Sequence, residues 1–127
     1  MKAWLIPAIA LCLAGCEDGA PERNVTKVAA ANPHSDQLKA LSEPMRHLGL
    51  YRAIRDNGRR CKRVEGAAYQ QQYKTMAMWT ARCSDSGDFA VYIAPNGDVQ
   101  VSPCGDARTL GLPECSAVQS PAASEKR

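Results

Sequence analysis

No apolar run in the sequence reaches the roughly 20 residues a spanning helix needs. The longest, Ala3 to Leu13, is about half that. A mean hydropathy of −0.35 agrees, and together they argue against a polytopic membrane protein. Strong charge of one sign is also missing. A formal net charge of +3 is too mild for a dedicated nucleic-acid binder, and no nucleic-acid partner is expected. There is no Cys-x-x-Cys and no close histidine pair, so neither structural zinc nor a thiol-redox site is expected. Gly-rich phosphate loops, metal motifs and nucleophile patterns are absent too. His34 sits in a polar stretch, and His47 has no Ser or Cys nucleophile pattern around it. Asp85, Asp88, Asp98 and Asp106 fall where turns want aspartate. The expectation is a protein without a cofactor and without catalytic residues. A small envelope hydrolase is the alternative from another class, with no residues to name for it.

What is present begins with cysteine. Six cysteines in 127 residues suit a small domain in an oxidising compartment. Lys2 followed by the short apolar run has the form of a signal peptide. The run ends in Leu13-Ala14-Gly15-Cys16, which resembles the lipobox of bacterial lipoproteins. The resemblance implies cleavage between Gly15 and Cys16, a diacylglyceryl thioether on Cys16 and acylation of the new amino group. It implies an anchor in the cell envelope on the periplasmic side. Glu17 and Asp18 resemble an inner-membrane retention signal, but the choice of membrane stays open. The alternative is an ordinary secretory signal with a coincidental cysteine.

Residues 1–15 are then a leader, and Cys12 is lost with them. Residues 16–35 are the lipidated cysteine and a small, polar, aperiodic tether. A folded domain is expected over 36–115, followed by a disordered tail over 116–127. Cys61, Cys83, Cys104 and Cys115 remain, and four cysteines allow three pairings. In a core this small, two disulfides of about 2–4 kcal/mol each supply a large share of the stability.

The folded segment opens helical. Leu38, Leu41, Met45, Leu48, Tyr51 and Ile54 recur at helical spacing and form one apolar stripe. Ser42 followed by Glu43-Pro44 reads as an N-cap with proline in the first turn, and Asn57-Gly58 as a stop. The main helix is therefore expected over 43–57, with a short separate helix over 36–41. Gly49 lets a neighbour approach it closely.

Beyond Gly58 the period changes to two. Cys61 to Val64 reads as a short strand, and the glutamine-rich 65–74 as a wide loop or frayed hairpin. Ala77, Trp79, Ala81 and Cys83 share one side of the next strand. Phe89, Val91 and Ile93, then Val99 and Val101, continue that face. Pro95-Asn96-Gly97-Asp98 is the strongest hairpin signal. Aromatic residues make up only 6% of the chain, so Trp79, the one tryptophan outside the leader, is expected at the core's centre. The fold class is α+β: one main helix on a small antiparallel sheet of three or four strands, in two layers, with two disulfides. An antiparallel pair brings Cys61 beside Cys83, and Cys104–Cys115 then fastens a C-terminal loop onto the sheet. The element order over about 50–100 weakly resembles PepSY-like modules. Tyr51 to Asp56, Trp79 to Cys83 and Ala94 to Asp98 resemble segments of small proteobacterial envelope proteins without an assigned activity.

Charge concentrates in one place. Arg46, Arg52, Arg55, Arg59, Arg60, Lys62 and Arg63 are opposed only by Asp56 within that segment. A continuing helix would put Arg52, Arg55 and Arg59 on one face. The functional reading is an anion-contacting face of Arg52, Arg55, Arg59, Arg60 and Arg63, meeting lipid headgroups, an envelope polyanion or an acidic protein surface. The plainer reading is a solvated face balanced by Glu43 and Glu65. Tyr69, Tyr73, Met76 and Met78 offer a second cluster, as a binding surface or as strand positions packed under the helix. The function expected is that of a membrane-anchored, non-enzymatic accessory, binding or inhibitor module.

Overall fold

The computed structural model describes residues 31–118. The leader, Cys16, most of the tether and the end of the tail lie outside the described residues. Helix α1 spans Pro33–Ala40 and α2 spans Glu43–Asp56. Four strands follow, β1 (Val64–Tyr73), β2 (Met76–Cys83), β3 (Gly87–Ile93) and β4 (Val99–Pro103). A 3-10 turn (Cys104–Asp106) and the one-turn helix α3 (Ala107–Leu110) lead into a C-terminal strap. The sheet is an antiparallel meander in the order β1-β2-β3-β4.

The fold begins earlier than the composition predicts. Asn32 caps α1, its side-chain oxygen accepting from Ser35 N at 3.0 Å. Asn32 Nδ2 also donates to Ile93 O at 2.8 Å, so residues 32–35 belong to the domain rather than to the tether. Pro33 opens the helix where a missing N–H costs nothing. Ser42 has extended backbone before α2 and Pro44 sits in the first turn, as expected, although the serine side chain makes no capping bond. Arg46 joins the helices: its guanidinium donates to the carbonyls of Leu38, Lys39 and Leu41 at 2.8–3.1 Å, closing the C-terminus of α1. A Cβ on Gly49 would lie 3.2 Å from Leu38 Cδ1, so glycine admits α1 here.

The buried side of α2 differs from the apolar stripe. Leu50 and Ile54 enter the core, while Leu41, Met45 and Leu48 are exposed. Pro44 starts a new helix, which breaks the register linking Leu38 and Leu41 to α2. Leu50 then anchors the buried side, with Tyr51 and Ala53 packed beside it.

On the sheet, the alternation holds. Ala77, Trp79, Ala81, Cys83, Phe89, Val91 and Ile93 form one core with Leu50 and Ile54, and Val99 and Val101 pack on it. Trp79 is at its centre, its indole N–H donating to Ser35 Oγ at 3.0 Å. The glutamine-rich 65–74 is neither loop nor frayed hairpin but most of a ten-residue strand. Its register slips between Tyr69 and Gln71, which is a bulge at Gln70. Two residues, Lys74 and Thr75, then turn it into β2.

The second face of the sheet is covered too. Met78, Ala90 and Tyr92 form a separate buried cluster, packed by Tyr73, Met76, Leu112 and Cys115. The strap therefore makes a third layer where two were expected. It is held by Cys104–Cys115, while Cys61–Cys83 ties the approach to β1 onto the end of β2. Both pairs are those the strand order favours. Cys61 precedes β1 rather than opening it, and Val64 is the residue opposite Cys83. Ser116 and Val118 belong with the strap: Ser116 N donates to Gln70 Oε1 at 2.9 Å and Val118 is buried.

Candidate functional site

Helix α2 ends in a Schellman motif. Gly58 takes φ +73°, Arg59 N donates to Ile54 O at 3.1 Å and Gly58 N to Arg55 O at 3.0 Å. This turns the chain, so Arg59 leaves the helix, and the continuous Arg52–Arg55–Arg59 face does not form. Arg52 and Arg55 stay on α2, and Arg59 and Arg60 lie on the exit loop. The turn brings Arg55, Gly58, Arg59 and Arg60 together around one shallow polar hollow. The loop beyond is pinned to the β2–β3 turn. Lys62 N donates to Asp85 Oδ1 at 2.8 Å and Ser86 Oγ to Arg60 O at 2.6 Å. The Lys62 N–H, the largest cause, holds the Asp85 carboxyl below its usual value, helped by the Ser86 hydroxyl, which also reaches Asp85 Oδ1 at 3.2 Å, and by the nearby Arg60 charge.

The segment's cations divide by role. Arg46 caps α1 and is not free to meet a ligand. Arg63 pairs with Glu65 at 2.9 Å, which satisfies part of its charge. Glu43 pairs with His47, at 3.9 Å, and not with an arginine. Among the described residues, Arg52, Arg55, Arg59, Arg60 and Lys62 have no carboxylate at salt-bridge distance. A groove beside α2 is lined by His47, Leu48, Tyr51, Lys62, Arg63 and Val64.

The tyrosine–methionine cluster divides between the two faces of the sheet. Tyr69 meets Trp79 edge-on at 5.8 Å under α1, with Lys39 Nζ 4.1 Å above its ring. Tyr73, Met76 and Met78 pack with Tyr92 on the opposite side. The four therefore share no single face, although Tyr69 and Met76 both line a small cavity beside Ser35 and Lys39 of α1. His34 lies on α1 with its ring against Gly97, where an added Cβ would sit 3.1 Å from Nε2.

Comparison with family models, curated proteins and solved structures finds no match. Among the described residues, no cluster of three or more His, Cys, Asp or Glu could hold a metal ion. No helix among them is long and apolar enough to cross a membrane. Sequence reasoning named the free arginines but missed the exposed apolar residues beside them. Their spacing puts Met45 and Leu48 on one apolar stripe with Ile54, but the structure leaves both exposed. Leu50, four residues before Ile54 and outside that stripe, is the signal for the other register.

Proposed function

We propose that this chain is a bacterial envelope lipoprotein, anchored on the periplasmic side through Cys16, that works by binding rather than by catalysis. Its contact surface is the outer side of α2 with the exit loop, where Arg52, Arg55, Arg59 and Arg60 meet an anionic partner. One observation carries this reading: Arg55, Arg59 and Arg60 gather around a single turn, with Arg52 ahead of them on α2, and among the described residues none of the four has a carboxylate at salt-bridge distance. A face left solvated by default tends to interleave signs, and each like charge gathered without a counter-charge raises the self-repulsion of the fold. Arginine suits the role, because its planar fork matches carboxylate and phosphate. The apolar leader ending in Leu13-Ala14-Gly15-Cys16 supports the anchor. The two disulfides suit a compartment outside the cytosol.

Two measurements test the two halves of the reading. Palmitate labelling in cells is expected for the native chain and lost for Cys16→Ala; label on the alanine variant overturns the anchor. Retention on a phosphorylated polymer is expected at low salt and lost for the Arg55→Glu/Arg59→Glu double variant. Equal retention of that variant overturns the contact surface.

A further inference from the structure

Opposite its buried side, α2 carries a second stripe. Met45, Leu48, Arg52 and Arg55 recur at spacings of three, four and three, which places them along one face of the helix. Leu41, just ahead of the helix, is exposed at the same end. Exposure is 38% for Leu41, 51% for Met45 and 37% for Leu48. The stripe is thus apolar towards the helix N-terminus and cationic towards its C-terminus, where Arg59 and Arg60 widen it. The neighbouring groove repeats the combination, its lining joining Leu48, Tyr51 and Val64 with Lys62 and Arg63.

Single exposed apolar residues are ordinary, but an aligned group continuing into unpaired cations is a specific composition. It is that of a helix lying in a bilayer interface. There, apolar side chains enter the acyl boundary while guanidinium groups remain at the phosphates. The charge is of the complementary sign to an anionic leaflet: between Leu41 and Arg60 five arginines stand against two acidic residues, Glu43 and Asp56.

We propose that the outer face of α2 docks on an anionic phospholipid bilayer. Leu41, Met45 and Leu48 are immersed, and Arg52, Arg55, Arg59 and Arg60 lie against headgroup phosphates. This rests on the reading of the basic face as a contact surface, and it names the partner.

The test uses the full chain reconstituted in two kinds of vesicle, phosphatidylcholine alone and phosphatidylcholine with phosphatidylglycerol in equal parts. Any anchor acts equally in both. Hydroxyl-radical oxidation of Met45 reports immersion. Met76, half-buried on the other side of the sheet, serves as the internal reference. Phenylglyoxal modification of Arg55, Arg59 and Arg60 reports charge contact. On the anionic vesicles both signals are expected to fall several-fold with Met76 unchanged. High salt or the Arg52→Glu/Arg55→Glu variant should restore Met45 oxidation. Long-chain polyphosphate should shield the arginines and leave Met45 reactive. If the anionic vesicles or polyphosphate shield the arginines while Met45 oxidises equally in both vesicles, the bilayer proposal falls and the anion-contact reading stands. If neither probe alters arginine reactivity, both fall.

Discussion

Trp79 and Ser35 meet across 44 positions of sequence, the indole N–H donating to the serine hydroxyl at 3.0 Å with both side chains buried. This bond locks α1 onto the centre of the sheet. Ser35→Ala leaves a buried indole N–H without its acceptor, at a cost of about 1–3 kcal/mol. Urea unfolding followed by tryptophan fluorescence is expected to show a lower midpoint with an unchanged slope. A midpoint equal to the native one would mean that water satisfies the indole.

That contact also marks where the sequence stops being readable. Asn32 and Ser35 lie in a stretch of small polar residues that looks like tether, and their partners, Ile93 and Trp79, are far along the chain. Local composition cannot announce such a bond. The strand alternation was legible because period two fixes the faces of the sheet once one side is buried. β1 was not, because glutamines are poor strand markers and the bulge at Gln70 breaks the alternation where it would have shown. On α2, two apolar spacings compete, and only the packing of Leu50 and Ile54 decides between them. The arginines of the contact face were legible by count alone. Its apolar half was hidden by the same ambiguity.

Gln70 fastens the strap. Its Oε1 accepts from the buried Thr80 hydroxyl at 2.8 Å and from Ser116 N at 2.9 Å, while Nε2 donates to Glu114 O at 2.8 Å. Gln70→Ala strands the Thr80 hydroxyl and removes the strap's hydrogen bonds to β1, leaving Cys104–Cys115 and the packing of Leu112 to hold it. A loss of about 1–3 kcal/mol is expected, together with faster amide exchange at Ser116. Unchanged exchange there would show that the disulfide and this packing hold the strap without Gln70.

The two disulfides should differ in what their removal costs. Unreduced peptide mapping should recover the Cys61–Cys83 and Cys104–Cys115 pairs. The first closes a separation of 22 residues and the second one of 11. Loop entropy places each near 3 kcal/mol, the longer loop somewhat above the shorter. Cys61 and Cys83 also belong to the main core, so Cys61→Ala/Cys83→Ala should lower the unfolding midpoint more than Cys104→Ala/Cys115→Ala. The second pair should show its effect at the strap, by exposing Met78 and Tyr92 to exchange and dye binding. A reversed order of midpoints would overturn this ranking.

Asp85 links the contact face to pH. Hydrogen bonding from Lys62 N holds its carboxyl below the usual 3.8 in the folded chain. A depressed carboxyl stabilises the fold above its unfolded pKa, and this contribution is lost as pH falls through the lower, folded value. Asp85→Asn should therefore be less stable than the native chain near neutrality, and the difference should close as pH falls below 3.8. Thermal unfolding of both chains across that range measures it. A gap constant with pH would mean that the bond geometry, and not the charge, sets the contribution of Asp85.

Tyr92 offers the opposite case, a polar atom whose removal should help. Its side chain is buried beneath the strap against Tyr73 and Met78, and among the described residues its hydroxyl has no hydrogen-bond partner. Burial, and then the neighbouring Tyr73, push the phenol above its usual 10.0, as expected of a group that resists charging where water is excluded. A buried hydroxyl without a partner costs about 1–3 kcal/mol, so Tyr92→Phe keeps the ring packing and removes that penalty. The variant is expected to unfold at a higher urea concentration than the native chain. Loss of stability would instead reveal a partner for the hydroxyl under the strap.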